Sequence, residues 1–365
     1  MPTPAFYESG SSCDPSRSLC ATSAAAPQKV RASLHMTAHA TGRQWIVIAL
    51  AVVAMLVLMD PPARADQTGD IRDQDATEHR AVALGLTGGV YGALYLYAYL
   101  AWYSDGAQTT LHLRDEGWLG RDTYAGGADK VGHLWANYAL TRSVSRVLEW
   151  GGYSKPLSLV TSTGLAVGFF VLVEVKDGYE PDYGFSWGDI VFNLAGNVLG
   201  VGFELLPELD RMFDFRLEYW PSRYFIEEAR STGPFNSAED YTGQRYLLAF
   251  HLASIDALRT SSCCAWTQWL DLTVGYHAVH YKPNALDLNA PEQRLFAGVS
   301  INFQHIIDRA LMPAAGSAQQ PSTAARALRF GSELIAVPFT TLVITGASRS
   351  GGMLTRGRSD RDSSP

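Results

Sequence analysis

The sequence predicts an α+β protein: a bundle of about four apolar, glycine-rich helices followed by a small antiparallel sheet. Three observations carry that expectation. Residues 81–103, 157–173 and 190–203 are long runs without a charged side chain. An amphipathic stretch, 131–148, lies between the first two and has Arg142, Arg146 and Glu149 as its polar side. After Phe215 the pattern switches to alternation of apolar and polar residues, the period of a strand.

The chain begins with residues that do not belong to this core. Residues 1–35 are rich in Ala, Ser and Pro without periodicity, and they read as a disordered extension or as a misassigned start upstream of Met36. Segment 36–65 then carries Arg43, an apolar run over 45–59, and Ala63-Arg64-Ala65. A basic n-region, an apolar h-region and an A-x-A site in that order are a secretory signal peptide, cleaved after Ala65, and the run is short for a full membrane span. Export changes the charge balance. The mature chain keeps 24 Lys and Arg against 33 Asp and Glu, a net charge of −9 that argues against nucleic acid as a partner. Of the cysteines only Cys263 and Cys264 remain, and adjacent residues offer neither unstrained disulfide geometry nor a zinc signature, so they read as unremarkable loop thiols.

Residues 66–80 form an acidic lead expected to be flexible, and 81–215 is the helical core. The run 81–103 is long enough to cross a bilayer as a helix. Gly85 and Gly89, Gly88 and Gly92, Gly164 and Gly168, and Gly196 and Gly200 are small-x-x-x-small pairs. An interior helical glycine costs roughly 1 kcal/mol relative to alanine, and close helix approach, a leading mode of association in lipid, supplies a reason for such pairs. Membrane embedding is therefore favoured over a soluble bundle, with Asn193 and Asn197 in the third run counting against it.

Within the β-rich region, 216–310, strands are predicted at 245–252, 269–281 and 294–303, the last with Leu295, Ala297, Val299, Ile301 and Phe303 on one face. Three or four strands cannot close a transmembrane barrel, which takes about eight, so a small sheet on the helices or at a membrane surface is expected. Residues 311–328 read as a Pro, Ala, Ser and Gln linker, 329–346 as an apolar segment that Pro338 keeps from forming a regular element, and 347–365 as a disordered tail. His277 and His280, three apart, point to opposite faces of a strand and read as solvent or interface residues. His112, His251 and His305 have no partner at ligand spacing.

Three polar clusters interrupt the helical core: Asp129-Lys130-x-x-His133, Glu174-x-x-Asp177 and Ser186-x-x-Asp189-x-x-x-Asn193. Spacings of three and four put each set on one helix face. Asp129, after Gly126-Gly127-Ala128, is placed to cap the amphipathic helix, and Ser186-x-x-Asp189 matches a capping box. Glu174 and Asp177 are different. They sit at a helix C-terminal end, just before Gly178, where a carboxylate is disfavoured by about 0.3–1 kcal/mol. The expectation is that this acidic end points at the positive starts of the helices near Asp129 and Ser186, with Lys130 and His133 close by, so that one polar pocket collects all three clusters.

In this order, with Phe185 before Ser186 and Gly196 after Asn193, the motifs resemble the YfiM-like family of periplasmic lipoproteins of unknown function, over about residues 81–206. A looser version is similar to VanZ-like membrane proteins. Gly275-Tyr276 and Gly298-Val299-Ser300-Ile301-Asn302 also look like extended members of the first family. The resemblance implies an envelope protein and brings no activity. One departure is that no cysteine stands at the cleavage point, so the family's lipid anchor is not carried over.

Two function classes follow. The first is a non-enzymatic, membrane-associated envelope protein, exported to the periplasm, whose Lys130, Glu174, Asp177, Ser186 and Asn193 belong to a buried polar network and whose partner is membrane lipid or another envelope component. The second is a hydrolase of a lipid or cell-wall phosphoester in which His133, Asp129 and Asp189 do acid–base work, with Glu174, Asp177, Asp189 and His133 holding a divalent cation such as Mg²⁺, Mn²⁺ or Zn²⁺. No phosphate-cradling loop is recognisable, which favours the first class. No cofactor is established by the sequence, and it fixes neither the oligomeric state nor the choice between inner and outer membrane.

Overall fold

The computed structural model of the chain describes residues 69–103, 106, 108–232, 237–281, 289–313, 317 and 319–350. The extension 1–35, the signal peptide 36–65 and residues 351–365 of the expected tail lie outside them. Among the described residues four long helices come first: α1 (Gly69–Ala98), α2 (Ala128–Trp150), α3 (Lys155–Asp177) and α4 (Trp187–Leu205). Short helices α5 (Pro207–Met212), α6 (Arg223–Thr232) and α7 (Asp256–Thr260) are followed by α8 (Phe303–Leu311) and α9 (Thr323–Leu334). Strands β1 (Phe213–Tyr219), β2 (Gln244–His251), β3 (Leu270–Val279), β4 (Glu292–Ile301), β5 (Ile335–Ala336) and β6 (Thr341–Ser350) make one sheet in the order β5-β1-β2-β3-β4-β6. Its pairings are antiparallel except β1 with β5. The class is α+β, as the sequence predicts.

Helix α2 is the hub. The chain enters it through a left-handed turn, Ala125, Gly126 and Gly127 all having positive φ, and a Cβ on Gly127 would press into Leu119. One side of α2 buries Val144, Val147 and Leu148 against Ala83 and Val90 of α1. Another packs Tyr138 with Phe203, Phe330 and Leu334, beside Phe213 and Phe215 of β1. Against α4 the approach is closest: a Cβ at Gly196 would run into the Leu134 carbonyl, and one at Gly200 would sit 3.0 Å from Thr141 Cβ.

Only that pair of the predicted small-residue pairs packs on a neighbouring helix. At Gly85, Gly88, Gly89, Gly92, Gly164 and Gly168 an added Cβ meets nothing within 4 Å, because α1 and α3 turn those faces outward.

Polarity runs the opposite way from that of a water-soluble domain on several surfaces. Helix α3 buries Ser158, Ser162 and Glu174 while exposing Leu157, Val160, Leu165, Val171 and Leu172. Helix α4 buries Asp189, Asn193, Asn197 and Glu204 while exposing Trp187, Val191, Leu194 and Val198. The sheet repeats the inversion: Asp214, Arg216, His251, Asp271, Thr273 and Ser300 are buried, and Leu248, Leu272, Val274, Leu295 and Leu342 are exposed on the opposite face. The buried face is largely paired within itself, although Asp214 Oδ1 and His251 Nε2 have no hydrogen bond. Arg216 pairs with Asp214 and reaches Asp271 at 2.9 Å, His251 lies 3.0 Å from Asp214 and 2.8 Å from Asp271, and Gln304 of α8 donates to Asp214 at 2.5 Å.

The structure corrects several boundaries. The lead read as flexible is helical from Gly69, since nothing in it breaks α1. The linker read over 311–328 ends early, because Ser322 caps α9 by accepting the Ala325 N–H at 3.2 Å. Past Pro338 the chain recovers as β6, which extends to Ser350, inside the expected tail. His277 is buried, its Nε2 2.8 Å from the Thr242 carbonyl, instead of facing solvent.

Candidate functional site

The three polar clusters meet where the end of α3 faces the starts of α2 and α4. Glu174 Oε2 accepts the backbone N–H of Ser186 at 3.3 Å, and Ser186 Oγ accepts that of Asp189 at 3.3 Å, which is the predicted cap of α4. Asp129 does not cap α2. Gly127 occupies the cap position, and the Asp129 carboxylate instead accepts from Lys130 at 3.1 Å and from the Tyr241 hydroxyl at 3.1 Å.

Lys130 is fully buried and serves three carboxylates: Glu116 at 2.5 Å, Asp189 at 2.7 Å and Asp129. His133 Nε2 is nearly equidistant from three others, 3.8 Å from Asp129 Oδ1, 3.9 Å from Glu174 Oε1 and 3.9 Å from Asp189 Oδ1. Its other nitrogen, Nδ1, is 2.9 Å from Asn193 Oδ1. That oxygen also accepts from Asn137 Nδ2 at 2.6 Å, Asn137 Oδ1 accepts from Asn197 Nδ2 at 2.9 Å, and Asn197 Oδ1 accepts from Thr141 at 2.7 Å. This chain of amides fixes the Asn193 oxygen toward the ring, so His133 Nδ1 carries the proton and Nε2 faces the carboxylates. Asp177 stands to the side, accepting the Tyr103 hydroxyl at 2.7 Å.

The electrostatics follow from four carboxylates, Glu116, Asp129, Glu174 and Asp189, sharing one lysine and one imidazole. Burial, reinforced by Asp129, pushes Glu116 up to about 7 despite Lys130. Burial and the neighbouring Asp129 likewise raise Asp189. Burial opposes ionisation of Asp129 too, but His133 and Lys130 outweigh it and hold that carboxyl below its usual range. For His133, burial would lower the imidazole, yet Asp189, Asp129 and Glu174 together bring it to about 9. Glu174 Oε1 and Asp189 Oδ1 are nonetheless buried without a hydrogen bond, the latter ion-paired to Lys130 but out of line for one.

Residues 115–204 match the model of the DUF2279 family, described as predicted periplasmic lipoprotein. No curated protein and no solved structure matches the chain. The DUF2279 segment begins next to Glu116, ends at Glu204 and agrees with the resemblance read from the order of the motifs. It contains the charged cluster and its amide chain, and leaves the sheet outside.

Sequence spacing did not single out Glu116, Tyr103, Asn137 or Tyr241 as partners. Glu116 is 14 residues from Lys130, and Tyr241 is 112 from Asp129. Contacts of that span leave no local periodicity. Asn137 did carry a signal, since it lies one turn after His133 and donates to the His133 carbonyl at 2.9 Å.

A second buried network lies along α2. Arg142, with no exposed surface, reaches Glu204 of α4 at 2.9 Å, Glu333 of α9 at 2.7 Å, and Asp210 of α5. It ties the helical core to the elements around the sheet.

Proposed function

We propose that this chain is an exported cell-envelope protein that rests against a lipid membrane through an outward apolar surface, with its polar clusters serving structure and no turnover of substrate. The observation that carries this reading is the inversion of polarity, in which α3, α4 and the sheet bury ionic and amide groups and turn Leu, Val and Trp side chains outward. Such contiguous apolar surface is unfavourable in water and favourable against lipid. The apolar windows of His79–Tyr103 and Lys155–Asp177 are only 22% and 28% buried, so most of each is open to a covering phase. Length and apolarity alone are shared with core helices of soluble proteins, but those are buried. The family's description as periplasmic lipoprotein supports an envelope location.

A structural role for the clusters is supported by the way they tie the helix junction together, Lys130 to Asp189, Glu174 to Ser186 and His133 to Asn193. Neither the cavity of about 550 Å³ beside Trp220, Arg245 and His277 nor that of about 360 Å³ beside Trp150 and Phe330 is lined by a residue of the Lys130–His133 cluster. The test is flotation of the mature chain, residues 66–365, with phosphatidylethanolamine–phosphatidylglycerol vesicles. The protein should float and stay bound in about 1 M NaCl, where surface charge is screened. Leu272→Asp with Val274→Asp should reduce the floating fraction. Wild-type protein left at the bottom of the gradient would contradict the proposal.

A further inference from the structure

We propose that Asp129, His133, Glu174 and Asp189 form a binding site for one first-row divalent cation, Mn²⁺ or Zn²⁺, at the junction of α2, α3 and α4. The geometry converges on a single volume. Asp129, His133 and Asp189 each present a ligand atom within 4.8 Å of the others, and Glu174 Oε1 lies 3.9 Å from His133 Nε2. Around a cation with bonds of about 2.0–2.2 Å, ligand atoms lie roughly 3.0–4.2 Å apart, so the observed 3.8–3.9 Å separations need little adjustment.

The second observation is how the remaining atoms of the same side chains are used. Asp129 Oδ2 is taken by Lys130, Glu174 Oε2 by the Ser186 N–H, and His133 Nδ1 by Asn193. Of the carboxylate atoms facing the shared volume, Asp129 Oδ1 also accepts the Tyr241 hydroxyl at 3.1 Å and Asp189 Oδ1 lies 2.7 Å from Lys130 Nζ, so Glu174 Oε1 is the one left without a partner. Glu174 is 1% exposed, and its Oε1 has no hydrogen-bond donor while pointing at His133 Nε2. A buried carboxylate oxygen without a donor costs free energy that a cation would offset. The imidazole is held as a metal ligand would be: its far nitrogen donates to an oriented oxygen, so a cation that displaced the Nε2 proton would meet a lone pair directed among the carboxylates. An imidazole beside three carboxylates selects Mn²⁺ or Zn²⁺ over Mg²⁺ and Ca²⁺, which prefer oxygen alone. Lys130 and Tyr241 then act in the outer shell, holding Asp129 and Asp189.

The experiment uses the untagged mature chain with Cys263→Ser and Cys264→Ser, because the exposed Cys263 thiol beside Cys264 is a competing soft ligand. The protein is stripped with EDTA, incubated with MnCl₂ or ZnCl₂, desalted and analysed for metal. About one equivalent per chain should be retained, with a rise in Tm of a few degrees over the stripped form. Glu174→Gln and Asp189→Asn should fold as judged by circular dichroism and weaken retention at least tenfold. Asn193→Ala should weaken it by about 10–100-fold through the imidazole, whereas Asp177→Asn, whose carboxylate serves Tyr103, should retain the ion. Less than about a tenth of an equivalent in the parent chain, with Tm unmoved by millimolar Mn²⁺ or Zn²⁺, would overturn the proposal and leave an imidazolium as the counter-charge. Equal retention by the parent chain and Glu174→Gln would overturn it as well.

Discussion

Glu174 Oε2 accepts the N–H of Ser186, so the carboxylate end of α3 is bonded to the residue that caps α4. A helix C-terminal end is a poor place for a carboxylate, and a helix start is a good one. The contact joins the two and explains how Glu174 is tolerated where it stands. Glu174→Ala would leave the Ser186 N–H unpaired and open a cavity. We expect a loss of about 2–4 kcal/mol in urea denaturation, and a smaller loss for Glu174→Gln, which keeps an acceptor.

Arg142 holds three carboxylates from three helices with its guanidinium fully enclosed. Replacing it by methionine keeps the volume and strands Glu204 and Glu333 as buried, less-compensated charges. The expected cost is about 3–5 kcal/mol. Double replacement of Arg142 by methionine and Glu333 by glutamine should recover part of it, which a double-mutant cycle in urea would measure.

Two glycines separate close packing from open surface. Gly196→Ala drives a methyl group into the Leu134 carbonyl and should destabilise by about 1–3 kcal/mol. Gly164→Ala meets nothing and should be neutral or stabilising by up to about 1 kcal/mol through helix propensity. Thermal unfolding of the two variants side by side checks the contrast.

These cases show which parts of the molecule the sequence disclosed. Strands β2, β3 and β4 were readable to within a few residues because alternation is a local signal. Strand β1, Phe213-Asp-Phe-Arg-Leu-Glu-Tyr219, alternates as well, but the expected core ran on to residue 215. Its Asp214, Arg216 and Glu218 face inward, against the usual rule for charged residues. The capping of α4 by Ser186 was legible, being a three-residue spacing. The partners Glu116, Tyr103 and Tyr241 were not, since each is a single residue brought in by the fold.

His251 gives a pH dependence with a definite sign. It lies between Asp214 of β1 and Asp271 of β3, with Arg216, Asn302 and Gln304 also in that network. Burial would lower the imidazole, but the two aspartates raise it from 6.5 to about 9. A folded-state value above the unfolded one stabilises the protein fully below about pH 6.5, and that contribution fades as pH rises through about 9. It is on the order of 3 kcal/mol. His251→Gln should therefore flatten the fall in urea midpoint between pH 6.5 and 9 relative to wild type.

The inverted polarity of α3 and the sheet is the claim on which the functional reading depends, and lipid contact tests it most directly. A fluorophore is attached to Val160→Cys, Val274→Cys or Asp122→Cys in the Cys263→Ser, Cys264→Ser background, and the protein is mixed with vesicles of brominated or ordinary phospholipid. Val160 is 72% and Val274 51% exposed on the apolar surfaces, and Asp122 is a polar loop residue. Brominated lipid should quench the probe at 160 and at 274 and leave the one at 122 unchanged. Equal emission in both lipids at 160 and 274 would mean that these surfaces do not meet a membrane.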